Sequence, residues 1–168
     1  DGTIKNAVKL HDNLVVESVL IPTANRTTAC VSSQVGCSLD CKFCATSKIK
    51  RMRNLNADEI YDQVVTMDHQ SRLYFDRSLS NIVFMGMGEP LMNYKNLINA
   101  IDKITQSEGL GMSPSRITVS TSGIPKMMMK MADDQVRFGL AVSLHSARQS
   151  VREQLMPFAE KFPLKDLA

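Results

Sequence analysis

The chain has 168 residues, with 20 Lys+Arg against 17 Asp+Glu and a formal charge of +3. At 43% hydrophobic and 22% charged residues it is neither a disordered tail nor a low-complexity linker. No apolar run approaches the ~20 residues of a membrane span, and the opening Asp1-Gly2-Thr3 is not the start of a signal peptide.

The first element reads as a hairpin. Val15-Val16-Glu17-Ser18-Val19-Leu20-Ile21 is rich in β-branched residues and ends at Pro22. A partner strand lies near Ala7-Val8-Lys9-Leu10, with Asp12-Asn13 as the turn. Alternation puts Val15, Glu17, Val19 and Ile21 on one face. Either Glu17 points into a pocket or that face is the solvated one.

Four strand–helix units follow. Thr28–Ser33 is a short strand leading into a cysteine loop. Asn56-Ala57-Asp58-Glu59 has the form of a capping box and opens a helix with Ile60, Val64 and Met67 on one face. Asn81–Met85 is an apolar run of the buried parallel-strand type, stopping at Gly86-Met87-Gly88-Glu89-Pro90. The next helix turns Leu97, Ile98, Ile101 and Ile104 inward. Arg116–Val119 is a third strand, ending at Ser120-Thr121-Ser122-Gly123. Pro125 suits the first position of a helix, whose Met127, Met128 and Met131 read as core filler. Phe138–Val142 is a fourth strand, ending at Ser143-Leu144-His145. A last helix contains Val151 and Leu155 and stops before Pro157. Alternating strands and helices predict a parallel sheet with right-handed crossovers, whose functional residues collect at the carboxyl ends of the strands.

Charge and cysteine are both concentrated. Between Arg26 and Leu55, six cations (Arg26, Lys42, Lys48, Lys50, Arg51, Arg53) face one acid, Asp40, for a local +5. Such a run suits a polyanion such as RNA or a solvated loop. All four cysteines, Cys30, Cys37, Cys41 and Cys44, fall within fifteen residues. That crowding does not suit a secreted disulfide framework. Cys37-x3-Cys41-x2-Cys44 can hold three irons of a [4Fe–4S] cube and leave the fourth iron open. With Cys30 added, four cysteines could instead make a structural zinc site in a non-catalytic RNA-binding module, although a separation of seven fits no common knuckle.

The cysteine triplet, with the aromatic Phe43 before its last member, resembles the radical S-adenosylmethionine (SAM) superfamily. Cys30–Cys37, Arg53-Asn54-Leu55, Gly86–Leu91, Ser120–Gly123 and Ser143–His145 together resemble the RlmN/Cfr family of RNA methyltransferases. The resemblance implies a partial (β/α) TIM-type barrel: an N-terminal hairpin extension over 1–27, then an incomplete radical SAM core over 28–168. It implies methylation of adenine C2 in 23S rRNA and tRNA, or of C8 as in Cfr. It implies Cys37, Cys41 and Cys44 as cluster ligands, and Gly88, Glu89, Ser120, Ser143, Leu144 and His145 as SAM contacts. Glu17 would be the proton acceptor at the adenine. Cys30 would resolve an RNA–protein intermediate by forming a disulfide, helped toward its thiolate by nearby cations. Gly88 would let the backbone approach the ligand closely. A cytoplasmic location, an electron donor such as flavodoxin and a monomeric full-length protein are implied with it.

The family's methyl-carrying cysteine has no counterpart after Cys44. The chain also has no initiator Met. It is therefore expected to be part of a longer protein, inactive alone, truncated at the C-terminus, and to expose apolar surface beyond the fourth strand.

Overall fold

An antiparallel hairpin opens the computed structural model, which describes residues 2–167; Asp1 and Ala168, the two ends named above, lie outside the described residues. Strand β1 (Ile4–Lys9) pairs with β2 (Val15–Pro22) through a turn in which Asn13 takes φ 67°. β1 thus starts three residues before the expected Ala7. Along β2, Val16, Ser18 and Leu20 are buried while Val15, Glu17 and Ile21 are exposed. The face carrying Glu17 is the open one.

β2 pairs antiparallel with β3 (Thr27–Cys30). Two short strands, β4 (Gln34–Val35) and β5 (Arg53–Asn54), then form a ribbon bracketing the cysteine loop. No periodicity marks two-residue strands, so this ribbon had no sequence signal. Helix α1 (Ala57–Phe75) starts as read: Asn56 accepts from the Glu59 N–H at 2.8 Å, and Glu59 accepts from the Asn56 N–H at 2.9 Å. It buries Ile60, Val64 and Met67 as expected.

Strand β6 (Asn81–Phe84), helix α2 (Tyr94–Thr105), β7 (Ile117–Thr121), α3 (Pro125–Asp133), β8 (Gly139–Val142) and α4 (Gln149–Leu155) follow. α2 turns Leu97, Ile101 and Ile104 inward, and Met131 of α3 is buried with Met127 and Met128 against the same core. In α4 the expected Val151 and Leu155 are only half-buried. The fully buried residue there is Arg152.

The large sheet runs β1-β2-β3-β6-β7-β8, and β3, β6, β7 and β8 are parallel. Each parallel strand lies beside its predecessor, so the order never reverses. That is the winding of a (β/α) barrel, here an open part of one, and not of a doubly wound sheet. Val16, Leu20, Ala29, Ile82, Phe84, Ile117 and Val119 form the helix-facing side, each at 1% exposure or less. Each contributes roughly 1.5–3 kcal/mol by burial, the small Ala29 excepted. The hairpin strands continue the same sheet. The last strand, β8, leaves Leu140 and Val142 exposed, so the sheet does end in apolar surface.

One ion-pair network ties the ribbon to α1. Arg53 grips both Glu59 oxygens at 2.8 Å, and its Nε donates to Asp12 at 2.6 Å. These bonds to Arg53 hold both carboxyls below their ordinary values of 3.8 for Asp12 and 4.5 for Glu59. Depressed carboxyl pKa values add stability that is present above the unfolded-state pKa and lost as pH falls through the folded one. Urea unfolding followed from about pH 7 to about pH 3 is expected to show stability falling below about pH 4.5. Arg53→Met is expected to lower the plateau and flatten that acid limb.

Candidate functional site

The residues between β3 and β4 are buried although they are polar. Ser32, Ser33 and Gln34 are each 1% exposed or less. Their backbone groups are satisfied from far along the chain, the Ser33 and Gln34 N–H groups by Met87 O, and the Ser32 groups and Ser33 O by side chains. Gln63 accepts from Ser32 N at 3.0 Å and donates to Ser32 O at 3.1 Å. Asn93 donates to Ser33 O at 2.8 Å and to Leu55 O at 2.7 Å. A fully bonded buried network of this kind is rigid. It fixes the stem of the cysteine loop.

From that stem, Cys37, Cys41 and Cys44 reach a cleft of about 310 Å³ at the carboxyl ends of the parallel strands. Gly86, Gly88 and Glu89 enter it from the end of β6, Ser120 and Ser122 from β7, and Ser143 and His145 from β8. The small core Leu39, Cys41, Met156, Ala159 backs the loop, and Lys42 N–H donates to Leu155 O at 2.9 Å. The segment after β8 therefore braces the cysteines. All four thiols are free.

Burial dominates the thiol electrostatics. It pushes Cys37 above its ordinary value and Cys41 up to about 11, with the neighbouring thiols adding to the rise at Cys41. A thiolate at these positions therefore calls for a cationic centre to accept it.

Glu89 is 2% exposed and carries no ion pair among the described residues. One oxygen accepts from Leu91 N–H at 3.0 Å and the other from Ser122 N–H at 2.8 Å. Burial nonetheless raises its pKa. The Thr121 and Ser122 side chains also hydrogen-bond the carboxylate, and these bonds oppose the rise.

Gly88 borders the cleft, and the protein itself imposes a further need for glycine there. Gly88 has φ +95°, and a Cβ there would sit 2.4 Å from Gln34 Cβ and 2.9 Å from Gln34 N. The close approach is to the protein's own loop stem. Gln34 also accepts from Glu89 N–H at 2.9 Å, and Ser122 bonds Glu89 from the other side. Both stand inside motif runs, but the sequence did not show these roles, because each acts through a partner more than thirty positions away.

His145 has φ 56°, and its ring packs on Phe43 with centroids 4.1 Å apart. The aromatic before the last cysteine thus meets the end of β8. Ser120 and Ser143 bring their hydroxyls to 3.4 Å. Leu144 does not line the cleft: its side chain is exposed, and its carbonyl accepts from Ser146 N–H at 2.7 Å.

Glu17 and Cys30 lie elsewhere. With Val19 and Met87 they border an adjoining hollow of about 200 Å³ on the open sheet face, and Cys44, Thr46, Met85 and Gly86 line both spaces. Glu17 pairs with Lys5 at 2.7 Å and is half exposed. The expected help to the Cys30 thiolate is overturned. Burial raises its pKa, and the one opposing influence is a backbone hydrogen bond at Met85.

The basic run does not form one patch. Arg26 precedes β3, at the opposite end of that strand from the cysteine loop. Lys42 pairs with Asp40, and Arg53 with Asp12 and Glu59. Lys48 and Lys50 are exposed and without an ion pair among the described residues. No helix is long and apolar enough to cross a membrane among the described residues.

Comparison with known proteins matches these observations to a family. The family described as "Radical SAM superfamily" matches residues 31–158. A protein from Christiangramia forsetii, named "Probable dual-specificity RNA methyltransferase RlmN", is 77% identical over 99% of this chain and 47% of its own length. One of the same name from Flavobacterium psychrophilum is 72% identical, over 99% of this chain and 48% of its own. The crystal structure of a radical SAM methyltransferase from Sphaerobacter thermophilus superposes with a TM-score of 0.95 at 40% identity, covering 98% of this chain and 48% of that one. The chain spans about half the length of these relatives. Three thiols bordering one cleft with the ends of three parallel strands, in a barrel-type sheet that this family matches over most of its length, place the chain in the radical SAM superfamily.

Proposed function

We propose that this chain is the cluster- and SAM-binding part of an RNA methyltransferase that acts on adenine C2 in 23S rRNA and tRNA. The observation that carries the reading is the single cleft collecting Cys37, Cys41, Cys44, Glu89, Ser120, Ser143 and His145. Membership in the superfamily implies a [4Fe–4S] cluster and SAM, and the donor set fits both. Three soft thiol ligands suit an iron–sulfur cluster with one iron left open. A four-cysteine zinc site would need Cys30 beside the other three thiols, whereas Cys30 borders the neighbouring hollow and not the cleft. When bound, the cluster supplies the electron that cleaves SAM.

The chain's own residues then bind and orient. Glu89, buried without a cation, suits an ammonium group. Ser120 and Ser143 offer hydroxyls, and the Phe43–His145 pair offers an aromatic wall. Leu144 contributes through its backbone. Glu17 accepts a proton at the target adenine from the open sheet face, and Cys30 beside it resolves the RNA-linked intermediate. Lys48 and Lys50 contact phosphate. RNA as the partner is supported by the relatives' names. In this reading residues 1–27 extend the core formed by 28–168, the complete protein is a cytoplasmic monomer, and a flavodoxin-type donor delivers the electron.

Anaerobic reconstitution followed by EPR tests the reading. A reduced cluster signal that changes when SAM is added is expected. No cluster signal, or one unmoved by SAM, would sink it. Product analysis with the complete protein is expected to return 2-methyladenosine; 8-methyladenosine would replace the C2 assignment with C8.

A further inference from the structure

The helix after β8 buries a cation that the site as described does not use. Arg152 is 0% exposed. Its Nη2 donates to Ser122 O at 2.5 Å, and its Nη1 lies 3.5 Å from Phe162 O. Its Nε has no partner, and no carboxylate pairs with the guanidinium among the described residues. Burying an unpaired charge costs several kcal/mol. Desolvation accordingly pulls the Arg152 pKa below its ordinary range, and the one charge opposing that is Cys41.

Position explains what would compensate it. Arg152 stands one turn before Met156, which packs on Leu39 and Cys41 in the small core behind the cysteine loop. Its bond to the Ser122 carbonyl holds the residue whose N–H binds Glu89 and whose side chain borders the cleft. Three cysteine thiolates outweigh the double positive charge of an oxidised [4Fe–4S] core, so the bound assembly is an anion. One-electron reduction makes it more negative. A buried cation nearby favours the reduced form, because reduction potential follows the local charge.

We propose that Arg152 is the fixed counter-charge of the cluster held by Cys37, Cys41 and Cys44, and that it raises the cluster's reduction potential. This rests on the cluster reading above. Its core observation is independent: a fully buried guanidinium with an unpartnered nitrogen, seated behind the thiols.

The test is a dithionite titration of the reconstituted protein, followed by EPR, for wild type, R152K, R152Q and R152M. Loss of the charge in R152M and R152Q is expected to lower the equilibrium constant for reduction by about tenfold or more, about 59 mV for a one-electron couple. R152K is expected to stay near wild type. Thermal melts supply a readout that does not need reduction. The stability gained on loading the cluster is expected to shrink in R152Q and R152M and to persist in R152K. A merely structural arginine would lower the melting temperatures of loaded and unloaded protein alike and leave the potential unmoved, which overturns the proposal. Should one neutral variant not fold, the other against R152K decides the matter. A wild-type chain that loads no cluster overturns this proposal together with the proposed function; a loaded wild type whose potential is insensitive to charge at 152 overturns this proposal alone.

Discussion

Cys41→Ser is expected to abolish cluster loading, with bound iron and sulfide falling by at least about tenfold; removal of even an outer partner costs that much at metal sites. Cys41 is the most deeply set of the three thiols, buried in the small core with Leu39, Met156 and Ala159. Its replacement leaves two thiols for a cluster that needs three. Cys37→Ser and Cys44→Ser are expected to behave alike, since all three border the same cleft. Cys30→Ala is expected to load as wild type, because Cys30 opens into the neighbouring hollow and not into the cleft. Iron and sulfide assays with visible absorbance read the result. A C30A chain as empty as C41S would point to a four-cysteine site and overturn the assignment of the cleft.

Gly88→Ala is expected to destabilise the fold by about 2–6 kcal/mol. Two costs combine. A residue with a side chain at φ +95° pays roughly 1–3 kcal/mol of backbone strain. Overpacking adds roughly 1–3 kcal/mol, because the new methyl meets Gln34 Cβ and backbone N at distances real Cβ atoms do not adopt. For a chain of this size the melting temperature is expected to fall by roughly 5–15 °C. Gly111→Ala is the control. It also has positive φ, at +60°, but nothing lies within 4 Å of its added Cβ. It is expected to show the strain cost without the clash. Equal losses at the two positions would show that crowding against Gln34 contributes nothing.

Gly88→Ala also separates two reasons for the same glycine. Sequence reasoning put a ligand against it, and the structure adds the loop stem at Gln34. Displacing Gln34 removes its bond to Glu89 N–H and loosens the carboxylate that borders the cleft. The variant is therefore expected to load the cluster but to lose the effect of SAM on its EPR signal.

Much of the fold was legible because its determinants are local. The Asn56–Glu59 capping box, the buried run Asn81–Phe84, the inward stripe Leu97, Ile101, Ile104 and Pro125 at a helix start all act within a few residues. The cysteine spacing and the Gly86–Pro90 turn pointed to the cleft for the same reason. The β4–β5 ribbon was not legible, since two-residue strands leave no period to read. Leu144 stood within a matching motif, yet its side chain faces solvent. A motif places the backbone of a strand end, not every side chain along it.

The sequence alone therefore determined the opening hairpin, the order of the four strand–helix units and the clustering of the cysteines, but not the β4–β5 ribbon. Tertiary structure decided the rest. It made Glu17's face the open one, set Cys30 in a hollow beside the cleft, split the basic run between opposite ends of a strand, and buried Arg152 behind the cysteines. These are questions of solvent and partner. Hydrophobic periodicity and capping act through near neighbours in the chain. Burial, desolvation and the pairing of charges depend on groups brought together from thirty to sixty residues away, such as Gln34 with Glu89 and Asn93 with Ser33.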